Sequence, residues 1–500
     1  MAAMSDMFSS LIFGFGVALQ PINLLLAVIG AFVGTLIGVL PGIGPVSGIA
    51  LLIPLIIGLH PASAMIMLTA VYYGTMYGGS TTSILLNVPG EASSVATTLD
   101  GYQMSLQGRG GPALAIAAIG SFIAGTLSVV AMMIFSLPLA NWALAFGPPE
   151  NFALMVLGLS SVSTLAGQDL VKALISTVCG LMLATVGTDL VTGINRYTLG
   201  IPQFLDGIDL VTVAVGLFAV SEVMLAVNMI TVQPRLIPLQ RIWLTLKDFL
   251  ESFWAIIRGT VVGFYIGILP AAGATIASFL SYGLERRLAR DPSTFGKGDI
   301  RGVAAPESAN NAAAVGNMIP MLSLGIPGSS TTAVMMGALL ILNVIPGPLL
   351  FTQHPDVVWG LIASMYVSNA VLLLLNLPLV GLFVQILKTP DRYLYPLIIA
   401  ICVIGVYTVS RSRVDLMLMI LLGALGYYMR LNDYPLGPAI LGLVLGDRME
   451  QAMRQSLIMS SGSPAIFVTR PLSAVVLALA VLSLAAPVFL RALSSRRRVS

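Results

Sequence analysis

The stretch YGGSTTSILLNVPGEASS, residues 77–94, sets hydroxyls beside an apolar run and then stops that run with proline and glycine. Gly78, Gly79, Ser80, Thr81 and Thr82 lead in; Asn87, Pro89, Gly90, Glu91 and Ser93 close it. A second stretch, LGIPGSSTTAVMMG at 324–337, repeats the theme with Gly325, Pro327, Gly328, Ser329, Ser330, Thr331 and Thr332. Proline removes a backbone donor and glycine tolerates unusual dihedrals, so each stretch predicts a broken helix. A helix restarting after such a break offers hydroxyl caps and free amides to an anion. Unwound carbonyls beside it offer oxygen ligands to sodium. Packing alone explains scattered Ser and Gly; it explains poorly two clustered runs at corresponding breaks. The candidate substrate contacts are therefore Gly79, Ser80, Thr81, Thr82 and Asn87, with Gly328, Ser329, Ser330, Thr331 and Thr332.

Composition says what surrounds these breaks. The 500 residues are 57% hydrophobic and only 9% charged, with mean hydropathy +0.96. Soluble domains carry about 25% charged residues, so the chain is expected to be an all-α polytopic membrane protein. At roughly 20 residues per crossing there is room for about ten to twelve spans. Strand-sized alternation is absent, which argues against an outer-membrane barrel. Glycine (50) and proline (29) suit helices that break or approach closely. Cys179 and Cys402 lie in apolar runs and read as packing residues. His60 and His354 each precede a proline and read as loop residues. The net charge of +3 implies no nucleic acid. No Lys or Arg precedes Arg109, so no cleavable signal peptide is expected and the early spans have little charge to orient them.

Apolar segments fall near 22–40, 43–58, 62–86, 113–138, 151–166, 172–191 and 208–228. They resume near 254–270, 272–284, 312–325, 329–350, 357–387, 394–409, 414–430, 436–446 and 472–492. Several are too short to span as straight helices, as expected of re-entrant hairpins and broken helices. The two halves also match. GTLIGVLPGIG (34–44) resembles GFYIGILPAAG (263–273), LNVPGEASS (86–94) resembles LGIPGSSTT (324–332), and GPPENFALMVLGL (147–159) resembles KTPDRYLYPLIIA (388–400). This order predicts a first membrane repeat over 1–228, a basic cytoplasmic connector over 229–253 with Arg235, Arg241 and Lys247, a second repeat over 254–450, and a terminal helix and basic tail over 451–500. Loop charge predicts that the repeats are inverted. The loops at 58–62 and 139–150 lack Lys and Arg, whereas their counterparts hold Arg286, Arg287, Arg290, Lys297 and Arg301, and Lys388 and Arg392. Conversely Arg109 marks 87–112 while 343–356 has none; Arg411 and Arg413 do not fit this pattern.

The other repeated element is a turn: Pro41, Gly42 and Gly44, echoed by Pro270 and Gly273. With Asn310 and Asn317 these are the candidates for helix breaks or cation contact, the plain alternative being a kink for packing. Glu222, inside VGLFAVSEVMLAV (215–227), reads as an acid paired with a basic group, or else as a coupling carboxylate. Glu307, in APESANN (305–311), reads as a helix cap or as part of the pathway. No Lys or Arg is expected mid-membrane, which leaves backbone amides, hydroxyls and Asn side chains to hold an anion. There is no GxxxxGK[ST] loop, HExxH motif, Cys/His cluster or GxSxG elbow. An intramembrane enzyme, or an assembly subunit without transport of its own, is the rival class, and two loop histidines equip it poorly for acid–base work.

Six stretches resemble the tripartite tricarboxylate transporter family, specifically its large TctA-type membrane subunit. They are GVLPGIGP (38–45), YYGTMYGGSTTSILLNVPGEASSV (72–95), LDGYQM (99–104), FGPPENFALMVLGL (146–159), GLFAVSEV (216–223) and APESANNAAAVGNMIPMLSLGIPGSSTTAVMMGALL (305–340). The resemblance implies a permease in the bacterial inner membrane that works with a small four-helix membrane subunit and a periplasmic solute-binding protein. It implies symport of citrate or another carboxylate with sodium or protons, an elevator-like movement, and no cofactor.

Overall fold

Prolines open several helices and small residues set how closely they lie. The computed structural model describes residues 2–40, 44–160, 169–189, 192–228, 244–269, 273–386 and 391–496. In the first half the helices are α1 (Ala2–Ala18), α2 (Pro21–Val39), α3 (Gly44–Ile56), α4 (Pro61–Leu86), α5 (Val95–Leu106), α6 (Gly110–Ala143), α7 (Pro148–Ser160), α8 (Leu170–Ala184) and α9 (Leu210–Val227). The second half holds α10 (Leu246–Ile268), α11 (Gly273–Leu288), α12 (Arg301–Gly316), α13 (Met318–Leu324), α14 (Ser330–Ile341), α15 (Pro355–Asn376), α16 (Val380–Ile386), α17 (Asp391–Ser410), α18 (Arg413–Leu431), α19 (Gly437–Met459) and α20 (Pro471–Arg496). A single-turn helix at Ala92–Ser94 precedes α5. The middle of α9, Val215–Val220, is a π segment. A two-residue antiparallel ladder, β1 (Gly187–Thr188) with β2 (Asn195–Arg196), lies between α8 and α9.

Six of the described helices are long and apolar enough to cross a membrane: α2, α6, α9, α10, α15 and α18. Shorter apolar helices, among them α3, α8 and α14, pack beside them. The chain is a multi-pass α-helical membrane protein. Exposed Leu25, Ile29, Tyr265 and Leu421 give α2, α10 and α18 outer faces suited to lipid.

Two glycine seams bind the longest contacts. On α2, a Cβ at Gly30, Gly34 or Gly38 would stand 2.6, 2.4 or 2.3 Å from the carbonyls of Met67, Val71 and Thr75 on α4. On α10, a Cβ at Gly259, Gly263 or Gly267 would stand 2.5, 2.2 or 2.5 Å from the carbonyls of Ala305, Ala309 and Ala313 on α12. Only glycine permits this approach, and it lets long backbone surfaces meet without bulky side chains. Packing then crosses between the halves in matched pairs. α6 lies on α12 while α15 lies on α4; α7 and α8 lie on α19 while α17 and α18 lie on α9.

Several expectations shift. α1 lies upstream of the first apolar segment read from sequence, and it packs on α15. α10 begins at Leu246 and takes in Lys247, inside the stretch read as connector; 229–243, with Arg235 and Arg241, falls outside the described residues. α19 continues to Met459, well past the apolar segment that ended at 446, because its later turns carry paired charges rather than lipid-facing carbons. Cys179 is exposed, so it is not a packing residue, whereas Cys402 is buried. His60 and His354 sit just before the prolines that open α4 and α15, and His60 Nδ1 lies 3.7 Å from Asp356. Arg258 corrects the expected lack of basic residues: it lies within α10 and holds Glu285 of α11 through bonds of 2.9 and 2.7 Å. Glu222 pairs with Arg430 of α18, as one of its two readings held.

Candidate functional site

α4 ends when Asn87 turns left-handed, at φ +58°. Val88, Pro89 and Gly90 then carry the chain back along the helix it has left. A Cβ on Gly90 would lie 2.1 Å from the Gly38 carbonyl and 2.6 Å from Gly79 Cα, so the returning strand touches both α2 and α4 by backbone alone. Glu91 starts the next turn in a reciprocal cap with Ser94. Its side chain lies over Gly79, where a Cβ would come within 2.8 Å of Glu91 Cγ.

The second break has the same backbone. α13 ends at Gly325, left-handed at φ +69°, and Pro327 and Gly328 lead into α14. A Cβ on Gly328 would lie 2.7 Å from the Asn317 carbonyl. Ser329 caps α14 in a reciprocal arrangement with Thr332: the Ser329 N–H donates to Thr332 Oγ1 at 2.8 Å, and the Thr332 N–H donates to Ser329 Oγ at 3.3 Å. Ser330 and Thr331 fill its first turn.

Buried polar side chains bridge the two halves. Ser80 and Thr97 of the first half donate to the two oxygens of Glu307 on α12, each at 2.5 Å. Asn310, one turn along α12, donates to Glu91 at 2.9 Å, and Ser93 donates to the same oxygen. Asn317 donates to the Tyr72 hydroxyl at 3.2 Å, and that hydroxyl also faces Ser329 and Thr331. Tyr77 donates to Asn369 of α15 at 2.7 Å, and Asn311 to Ser121 of α6 at 2.7 Å. Glu91 and Glu307 are 8% and 1% exposed, and among the described residues no Lys or Arg is a hydrogen-bond donor to either. The side-chain oxygens of Asn310 and Asn317 are buried and, among the described residues, have no hydrogen-bond partner. The space beside Tyr77, Ser80 and Thr81 amounts to about 10 Å³, which is room for one water at most.

The expected contacts therefore divide. Ser329, Ser330, Thr331 and Thr332 stand where a restarting helix was predicted. Ser80, Thr81 and Thr82 do not: they lie inside the last turns of α4, ahead of the break. Their amides are already used by the helix, and Thr82 donates back to the Gly79 carbonyl at 3.2 Å. The positional counterpart of Ser329–Thr332 is Glu91–Ser94, because each follows Pro-Gly. Asn87 is exposed and serves as a helix end. Gly44 and Gly273 open α3 and α11 with φ of +56° and +68°; Pro41, Gly42 and Pro270 lie outside the described residues. Glu307 sits within α12 and is not a cap. Tyr72 and Thr97 were not singled out from sequence, and Glu91 was named only as one of the residues closing the first run. Glu91 carried a readable signal, since it takes the cap position that Ser329 takes in the other half.

A sequence model of the family described as the tripartite tricarboxylate transporter TctA family matches residues 24–441. An uncharacterized 52.8 kDa protein in the TAR-I ttuC' 3' region of Agrobacterium vitis is 43% identical over 479 residues, covering 95% of each chain. A second uncharacterized protein, in the TAR-II ttuC' 3' region of the same organism, is 44% identical over 218 residues, covering 43% of this chain and 90% of its own. No solved structure matches.

Proposed function

The chain belongs to the tripartite tricarboxylate transporter TctA family, and we propose that it is the permease which carries a small carboxylate inward, driven by a co-transported cation. It works in the bacterial inner membrane with a small four-helix membrane subunit and a periplasmic binding protein that supplies the substrate. One observation carries the mechanism: two matched Pro-Gly breaks, one from each half, flank buried polar clusters along α12, and among the described residues the two carboxylates there, Glu91 and Glu307, have no cationic hydrogen-bond donor. A buried carboxylate left uncompensated costs several kcal/mol, and an acid at membrane depth needs a partner. A proton on Glu91 or Glu307 supplies that neutralisation. So does sodium, which the free Asn310 and Asn317 oxygens suit as ligands. The substrate carboxylate then lies toward the α14 N-terminus, where amides and the hydroxyls of Ser329, Ser330 and Thr331 favour an anion.

The two halves act as inverted repeats. Crossed packing of α6 on α12 and α15 on α4 supports this, as does the opposite charge of matching loops. The break-bearing sets move together in an elevator-like step that exposes the network to one side and then the other. Reporter fusions after residues 290 and 498 should both read cytoplasmic, and a periplasmic signal at either overturns the topology. In proteoliposomes supplied with the binding protein, uptake of citrate or a related di- or tricarboxylate should cease when sodium and proton gradients are collapsed. Undiminished uptake after collapse rules the coupling out.

A further inference from the structure

We propose that the cavity between the α6–α7 junction, the 345–349 loop and α19 is an anion vestibule, and that Arg448 meets the carboxylate there before it reaches the second break. The cavity has a volume of about 640 Å³, within the usual range of small-molecule sites. Its polar lining is Arg448 with Asn151, Gln353, Gln451 and Gln455, and among the described residues no Asp or Glu lines it. A guanidinium among amide donors, with no acid, is the lining that a carboxylate requires.

Arg448 differs from the other arginines of this region. Arg196 and Arg454 are tied to Asp189 and Glu450, and Arg470 to Glu150. Among the described residues no hydrogen bond or ion pair engages the Arg448 guanidinium. Its neighbour Asp447 is exposed and accepts from Gln451 at 2.8 Å. A half-buried, unpaired guanidinium facing a cavity is costly to keep unless an anion visits it. The cavity also leads to the site. Leu324 lines it, and Arg448 Nη1 stands 3.6 Å from where a Cβ on Gly325 would be. The guanidinium thus lies at the residue that ends α13, four positions before Ser329. The lining loops fall within 139–150 and 343–356, which lack Lys and Arg, and on that ground we assign the vestibule a periplasmic mouth, although Arg196, Arg454 and Arg470 lie at the same end.

This assignment rests on the carboxylate-permease reading, but it can be tested without transport. Gln353→Cys in a Cys179→Ser background places a thiol in the vestibule; Cys402 is buried away from impermeant reagents. Intact cells are treated with methanethiosulfonates of matched size, one bearing a sulfonate and one a trimethylammonium group. The sulfonate should react roughly tenfold faster, the order a nearby unit charge gives at intermediate dielectric. Arg448→Gln should abolish that preference, and Arg448→Lys should retain it, both read on protein that elutes as a single species after extraction. Equal rates in the parent, a preference that survives Arg448→Gln, or no reaction from outside overturns the vestibule. If the preference holds but no carboxylate is taken up, the transport reading fails while the vestibule stands.

Discussion

The two Pro-Gly breaks share a backbone and differ in chemistry. Each ends a helix in a left-handed residue, folds a glycine back on that helix, and restarts through a reciprocal cap. In the first the cap residue is Glu91, lying over Gly79; in the second it is Ser329, and the place of Gly79 is taken by Asn317. The first break therefore buries a carboxylate, and the second offers hydroxyls and an amide at a helix N-terminus. A symmetric scaffold with unlike polar content can treat two ligands differently: a proton or cation at the acid, a carboxylate at the hydroxyls. On the proposed function, repetition supplies the geometry and the different cap residue, Glu91 against Ser329, supplies a division of labour.

That comparison can be broken most forcefully at the glycines. Gly90→Val and Gly328→Val would drive side chains into the Gly38 and Asn317 carbonyls. Such overpacking costs about 1–3 kcal/mol or more, so little monodisperse protein should survive extraction. Gly283→Val is the control, since a Cβ there meets nothing within 4 Å. Normal yields from all three would show that the shared backbone is not needed.

Next comes the cap itself. Glu91→Ser gives the first break the residue of the second, and Glu91→Gln removes only the ionisable group. Both should abolish gradient-driven uptake in proteoliposomes while leaving protein levels intact. Ser329→Ala should leave the gradient dependence in place. Equal losses from Glu91→Ser and Ser329→Ala would mean that the breaks do not differ in role.

Hydroxyl deletions sharpen the picture further. Thr331→Ala removes one neutral partner, about 0.5–1.5 kcal/mol, so apparent substrate affinity should fall roughly tenfold at most. Ser80→Ala removes a donor to Glu307, and hydrogen bonds to charged groups are worth about 1.5–3 kcal/mol. A larger loss at Ser80 than at Thr331 marks Glu307 as ionised in the binding state; equal losses mark it as protonated. The smallest effect belongs to Thr332→Ala, which breaks a cap worth about 0.5–2 kcal/mol. It should lower the melting temperature in detergent with little change in affinity, and a pronounced affinity loss would place Thr332 at the substrate.

Much of the architecture was legible because proline and glycine act locally. The breaks at 87–90 and 325–328 and the hydroxyl cap at 329–332 follow from backbone chemistry that a sequence displays. What stayed hidden depends on partners far away in the chain. Nothing near Ser80 announces that it donates to Glu307, and apolar periodicity cannot separate a hydroxyl inside a helix from one at its start. Pairing 80–82 with 329–332 as substrate contacts also set aside the match of LNVPGEASS (86–94) to LGIPGSSTT (324–332), which already puts 91–94 opposite 329–332. Arg448 escaped notice for a related reason: the hydrophobic signal of α19 fades at 446, yet ion pairs around Arg454 and Glu450 extend the helix beyond it.

The crossed packing also bears on how such a chain can be made. When α4 and α9 have been synthesised, the helices that cover them, α15 and α18, have not. Asp100 waits likewise: the three backbone N–H groups that satisfy its carboxylate come from Gly296, Gly298 and Asp299. The first half must therefore linger in the bilayer with its glycine seam closed but its polar faces unmatched, shielded by the insertion machinery or by lipid. Pairing so distant in sequence is slow to form, and prolonged exposure invites aggregation and degradation. Severing the chain between 228 and 244 should accordingly leave each piece short-lived alone, while both accumulate when produced together, each half acting as the chaperone of the other.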